Sequence, residues 1–125
     1  MTLDFPPRVG GVARYLESLA DFFRDDITVI APPDGQAEAT YPIERTEILY
    51  RWFWPRWLKA AWMLISRRET YEIVIVSHVL PLAVAAYVAS FWTRKPYVVI
   101  VHGMDVGLAK RNGWKRWLVG RVMRG

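Results

Sequence analysis

The chain has 125 residues, 53% of them apolar, which is enough for one core of modest size. It has no cysteine and two widely separated histidines, which excludes disulfides and thiolate zinc sites, leaves little scope for a metal cluster and fits a reducing, cytoplasmic setting. Residues 1–50 carry four Arg against nine Asp and Glu, and residues 51–125 carry thirteen Lys and Arg against three acids, so the net charge of +5 is −5 followed by +10 and points the second part toward an anionic partner.

The chain opens with "FPPRVGGVARYLESLA", two prolines and two adjacent glycines ahead of an apolar period. Val12, Leu16, Leu19 and Phe23, with Tyr15 and Phe22 beside them, recur at the spacing of an amphipathic helix that begins at the glycine pair. "ITVIAPP" follows, a β-branched run stopped by prolines, which predicts a strand over residues 27–31 and a surface loop after it. A weaker extended segment over residues 43–48 leads into "YRWFWPRWLKAAWMLISRRE". There Pro55 suits the first turn of a helix to about residue 68. On it Trp57, Leu58, Ala61, Trp62, Leu64 and Ile65 share one face, and Arg56, Lys59 and Arg67 the other.

"YEIVIVSHVLPLAVAAYVASFWTRKPYVVIVHGMD" then reads as a strand over 73–77, a helix over 81–92, a turn at 94–96 and a strand over 97–101. Apolar strands alternating with helices predict a parallel sheet covered on both faces. A transmembrane helix over residues 73–92 is the rival reading, being long enough and flanked by Arg68 and Arg94. Ser77, His78 and Pro81 in its middle, its β-branched start and the second, similar strand favour strand, turn and helix. A last helix is predicted over residues 113–123, with Trp114, Trp117, Leu118 and Val122 on one side.

Three features bear on chemistry. Gly10 and Gly11 form a loop entering a helix, where bare amides and the helix dipole favour an anion and glycine lets a phosphate come close. Two glycines alone are a weak signal that a plain tight turn explains more readily, and the pattern is neither GxGxxG nor the phosphate loop ending in Gly-Lys-Ser or Gly-Lys-Thr. His78 and His102 both follow predicted parallel strands, at the carboxyl edge where open α/β sheets bind ligands, and Gly103 and Asp105 come just after His102. Ser77 beside His78 does not imply a catalytic triad, and no Ser lies in a G-x-S-x-G turn.

Taken together, "FPPRVGGVARYLESLA", "YEIVIVSHVLP" and "VVIVHGMDV" resemble, in order and spacing along essentially the whole chain, the N-terminal Rossmann-like domain of GT-B fold glycosyltransferases of the large retaining family 4 type. The resemblance implies a parallel sheet with helices on both faces. It implies transfer of a sugar, with retention, from a nucleoside-diphosphate sugar to a saccharide or lipid-linked acceptor, with no cofactor and no required metal. It gives Gly10 and Gly11 the donor diphosphate. It gives His102 the catalytic position near the transferred sugar, with Gly103 and Asp105 beside it and His78 on the acceptor side of the cleft. Only "MTL" precedes Asp4 where such domains carry a first strand, and "RWLVGRVMRG" resembles the helix before the strand that completes the domain. The expectation is therefore a partial N-terminal, acceptor-side domain over residues 1–125, cut at both ends. It would lack the C-terminal nucleotide-sugar domain and be inactive alone. Losing a central first strand would also expose apolar edges.

"RWFWPRWLKAAW" holds five aromatic and three basic residues in twelve positions. Trp rings favour the membrane–water interface and Arg and Lys favour anionic head groups, so Trp52, Trp54, Arg56, Trp57 and Lys59 are candidates for a membrane-surface helix at the inner face. Packing of the tryptophans on the sheet is the competing reading, and nucleic-acid stacking a weaker third, since no recognised module accompanies it. A different class of function, a small basic protein that binds a membrane surface or nucleic acid without catalysis, is the alternative to the transferase.

Overall fold

The computed structural model describes residues 1–34, 39–101, 117, 120 and 121. The chain divides into two compact units, Met1–Ile48 and Leu49–Gly125.

In the first unit a helix, α1 (Gly11–Phe22), precedes two short strands, β1 (Val29–Ala31) and β2 (Ile43–Arg45). The strands pair in parallel, with Val29 opposite Ile43 and Ala31 opposite Arg45. Val29 donates to the Pro42 carbonyl and Thr46 to that of Ala31, so the odd positions of β1 face β2. Successive backbone groups of a strand point to opposite sides, which leaves Ile30 facing the other edge. There the buried Thr2 donates its N–H to the Ile30 carbonyl at 3.0 Å. The short lead-in "MTL" thus touches the outer edge of β1 through this hydrogen bond without forming a strand there.

The core of this unit gathers Phe5, Ala13, Leu16, Ala20, Val29, Ala31, Tyr41 and Ile48. Phe5 and Tyr41 meet edge to face, with ring centroids 6.4 Å apart, the arrangement the ring quadrupole favours. On α1 the buried line is Ala13, Leu16 and Ala20, while Tyr15, Phe22 and Phe23 are exposed. The expected stripe through Val12, Leu16, Leu19 and Phe23 is therefore rotated by roughly 50° about the helix axis. Two alanines provide the flat inner surface, and the bulky rings stay outside.

The second unit contains α2 (Leu58–Ser66), β3 (Val74–Ser77), a wide turn over Val79–Ala83, α3 (Val84–Thr93) and β4 (Tyr97–Ile100). β3 and β4 pair in parallel, Val74 with Tyr97 through Ser77 with Ile100, and α3 connects them. This is a β-α-β crossover, the connection a parallel pair requires. α2 packs on α3. Ala60, Ala61 and Leu64 on α2 and Val84, Ala85, Ala86 and Ala89 on α3 are buried. The tyrosine hydroxyl of Tyr71 donates to the Leu64 carbonyl at 2.8 Å, satisfying one of the carbonyls the end of α2 leaves open. α3 ends at Arg94, whose left-handed backbone (φ 54°) returns the N–H to the Ser90 carbonyl at 2.9 Å. Lys95 meets Glu72 at 3.0 Å just before the two strands begin.

The protein is α/β, built from short parallel strands and helices consistent with a partial Rossmann-like domain. Residues 73–92 form strand, turn and helix, and no helix among the described residues is long and apolar enough to cross a membrane. The helix after Pro55 begins three residues later than expected, at Leu58, whereas the chain is helical from Pro81, as expected, in a widened turn that passes into α3 at Val84. On α2 the predicted face is also narrower: Trp62 is exposed and Trp57 half-buried. β3 is largely buried, whereas β4 leaves Val98 exposed. The helix expected over residues 113–123 lies outside the described residues except for 117, 120 and 121, which are helical.

Candidate functional site

The glycine pair sits where α1 begins. Gly10 is extended (φ 168°, ψ 159°), a conformation open to any residue, so the backbone there does not call for glycine. Gly11 is the first helical residue, and a Cβ added at either position meets nothing within 4 Å. Neither a tight turn nor crowding by the protein accounts for the pair. The first helical hydrogen bond runs from Arg14 to the Gly10 carbonyl at 3.1 Å. The N–H groups of Gly11, Val12 and Ala13 precede it and have no intrahelical partner. No side chain caps this end, and the first turn holds no acid. The end therefore keeps its positive partial charge uncompensated by a carboxylate of its own helix.

The loop in front of the glycines is fixed by two arginines. Arg8 pairs with Asp4 at 3.3 Å and, more closely, with Asp34. The hydrogen bond to Asp34 is the main reason the Arg8 guanidinium holds its proton more firmly than usual. Arg45, at the end of β2, donates to the carbonyls of Pro6 and Pro32 and lies over the Phe5 ring, its Cζ 5.8 Å from the centroid. Neither arginine is marked by a local sequence signal. Arg45 reaches Pro6 across 39 positions, a distance no periodicity reports.

In the second unit, His78 follows β3 directly, as the sequence predicts. Its backbone is left-handed in φ (77°, ψ 118°), rare for a residue with a side chain. The half-buried ring has Nδ1 3.0 Å from the hydroxyl of the buried Ser77. The His78 carbonyl accepts from Ala83 at 3.3 Å, closing the wide turn that leads into α3. The Ser77 hydroxyl thus sits against the imidazole. Gly10 and Gly11 belong to the first unit and His78 to the second. His102, Gly103 and Asp105 lie outside the described residues. Among the described residues no three His, Asp or Glu side chains converge as a metal site.

The basic aromatic segment is only partly a helix. Trp52 and Trp54 lie in the loop before α2, almost fully exposed, while Trp57 and Lys59 are half-buried where the helix starts. The guanidinium of Arg56 turns back on this loop, donating to the Tyr50 carbonyl at 3.2 Å.

A family model described as "Glycosyltransferase Family 4" matches residues 9–125, which include every candidate residue around the glycine pair and the two histidines. No curated protein matches the chain.

Proposed function

The chain belongs to Glycosyltransferase Family 4, and on that footing we propose that it is the N-terminal, acceptor-side part of an enzyme that transfers a sugar, with retention, from a nucleoside-diphosphate sugar to a saccharide or lipid-linked acceptor. The observation that carries this reading is the start of α1. Two glycines stand there that neither backbone conformation nor neighbouring atoms require, ahead of three amides with no intrahelical partner. Space beside bare amides suits a phosphate oxygen, which approaches a glycine backbone more closely than any other.

In the proposed reaction the bond between the sugar's anomeric carbon and the diphosphate oxygen breaks. The diphosphate leaves with the electron pair, the acceptor hydroxyl oxygen forms the new bond to the anomeric carbon, and its proton passes to an oxygen of the departing diphosphate. Amide donors at Gly11 and Val12 stabilise the charge developing on the departing diphosphate, an interaction worth most in the transition state. Arg8 holds the Asp4 and Asp34 carboxylates in ion pairs, which lowers the repulsion they would exert on that anion. His102, with Gly103 and Asp105, serves the transferred sugar. His78, oriented by Ser77, serves the acceptor.

Titration of the isotope-labelled chain with inorganic pyrophosphate and with nucleoside diphosphates, followed by amide NMR, tests the reading. The amides of Gly11, Val12 and Ala13 should shift, with weak affinity of about 1 mM, because base and ribose contacts are assigned to a second domain. Gly11→Val should abolish the shifts. If these three amides stay still while others respond, the diphosphate assignment fails.

A further inference from the structure

Residues 49–68 contain five cations, six aromatic side chains and no carboxylate. Within them Trp52, Phe53 and Trp54 are consecutive, with fractional exposures of 97%, 59% and 83%. They do not belong to α2. They form the tip of a loop closed at its base, where Tyr50 donates to the Arg56 carbonyl at 3.1 Å. The guanidinium of Arg56 answers with bonds to the Tyr50 and Arg51 carbonyls at 3.2 and 3.4 Å. The rings of Tyr50 and Phe53 meet edge to face at 5.9 Å, which braces one side of the tip. Trp62, one turn into α2, is exposed as well.

A closed loop of this kind costs little ordering entropy when it binds, because its shape is already set by its own hydrogen bonds. What it presents is large apolar rings with polar N–H edges, with Arg51, Arg56 and Lys59 close by in the chain and no carboxylate among residues 49–68. That combination fits the head-group layer of a membrane, where indole rings sit between apolar chains and water while Lys and Arg meet anionic lipids. We propose that the Trp52–Phe53–Trp54 tip, flanked by Arg51, Arg56 and Lys59, inserts into the surface of an anionic membrane. Attachment is by a loop tip, not by a helix lying flat and not by a span. A nucleic acid would also answer the charge, but stacking readers lay their aromatics along a groove or sheet that tracks a strand. Here three consecutive exposed rings sit on one short closed loop. This proposal is independent of the transferase reading, since it rests on no residue of the glycine loop or of the histidine sites.

The test uses the full chain in sedimentation with vesicles of phosphatidylcholine, with and without about one third phosphatidylserine. Anionic vesicles should bind at least about tenfold more tightly than neutral ones, and the difference should shrink as salt is raised and the Debye length falls. Trp52→Ala/Trp54→Ala should lose about tenfold or more in vesicle binding with an unchanged circular dichroism spectrum. A second readout needs no variant: iodide should quench tryptophan fluorescence of the free chain and quench it less once anionic vesicles are added. Equal partition to neutral and anionic vesicles overturns the proposal. So does undiminished binding by a folded double variant, or capture of oligothymidylate through the same tryptophans with no vesicle binding.

Discussion

Arg45 holds the loop of Phe5 from the far end of its unit. Its guanidinium lies over the Phe5 ring and donates to the carbonyl of the next residue, Pro6. A charged donor on a half-buried carbonyl is worth about 2 kcal/mol, and the ring contact about 0.5–1 more at a partly exposed site. Arg45→Ala should therefore destabilise the chain by about 2 kcal/mol in urea unfolding. Arg45→Lys should recover only part of it, because an ammonium cannot reach two carbonyls and cover a ring at once. If Arg45→Ala unfolds at the wild-type midpoint, the loop before the glycines is held by something else.

The start of α1 and the strands that precede and follow α3 were legible, because a glycine pair and β-branched runs are local signals. The face of α1 was not. Val, Leu and Phe draw attention by size, yet Ala13 and Ala20 are the residues whose smallness admits close packing. The helix after Pro55 starts late for a related reason: the Arg56 carbonyl that could have accepted its first bonds is already engaged by the Tyr50 N–H. Of the candidate site, the place of the glycines at the start of α1 and of His78 after β3 carries local punctuation, whereas the contacts of Arg8, Arg45 and Ser77 leave no local signal. His102, proposed to serve the transferred sugar, lies outside the described residues.

The amine of Met1 is buried, and burial holds its pKa at about 5 against an ordinary 8.0. Between these values the unfolded chain binds the proton and the folded chain does not, so stability rises with pH across the window. The contribution is complete above pH 8.0 and is lost as pH falls toward 5. The slope is at most about 1.4 kcal/mol per pH unit. Urea midpoints of the 125-residue chain measured across this window should climb. A chain acetylated at Met1, which has no such proton, should show a visibly flatter profile, and identical profiles would remove the effect.

Arg94 closes α3 in the left-handed region, φ 54° and ψ 20°, and its side chain is exposed. Glycine takes this position at helix ends without the penalty a Cβ incurs. Arg94→Gly should raise stability by about 0.5–1 kcal/mol, with part of the strain relief offset by the freer unfolded chain. A thermal midpoint at or below that of the wild type would show that the Arg94 side chain contributes more than its backbone costs.

His78 presents the same backbone problem at a place where function is proposed. Its φ of 77° sits next to a ring bonded to Ser77 and a carbonyl bonded to Ala83. Strain of this kind is on the order of 1–3 kcal/mol and persists where surrounding bonds impose it. His78→Ala and His78→Gly both remove the ring and its bond to Ser77, but only glycine removes the strain as well. The glycine variant should then be more stable than the alanine variant by about 1 kcal/mol in urea unfolding. If the ring serves the acceptor, both variants should lose sugar transfer to the same degree despite their different stabilities, in an active form of the enzyme. Loss that instead followed stability, with the glycine variant active, would make His78 a structural hinge and no part of the acceptor site.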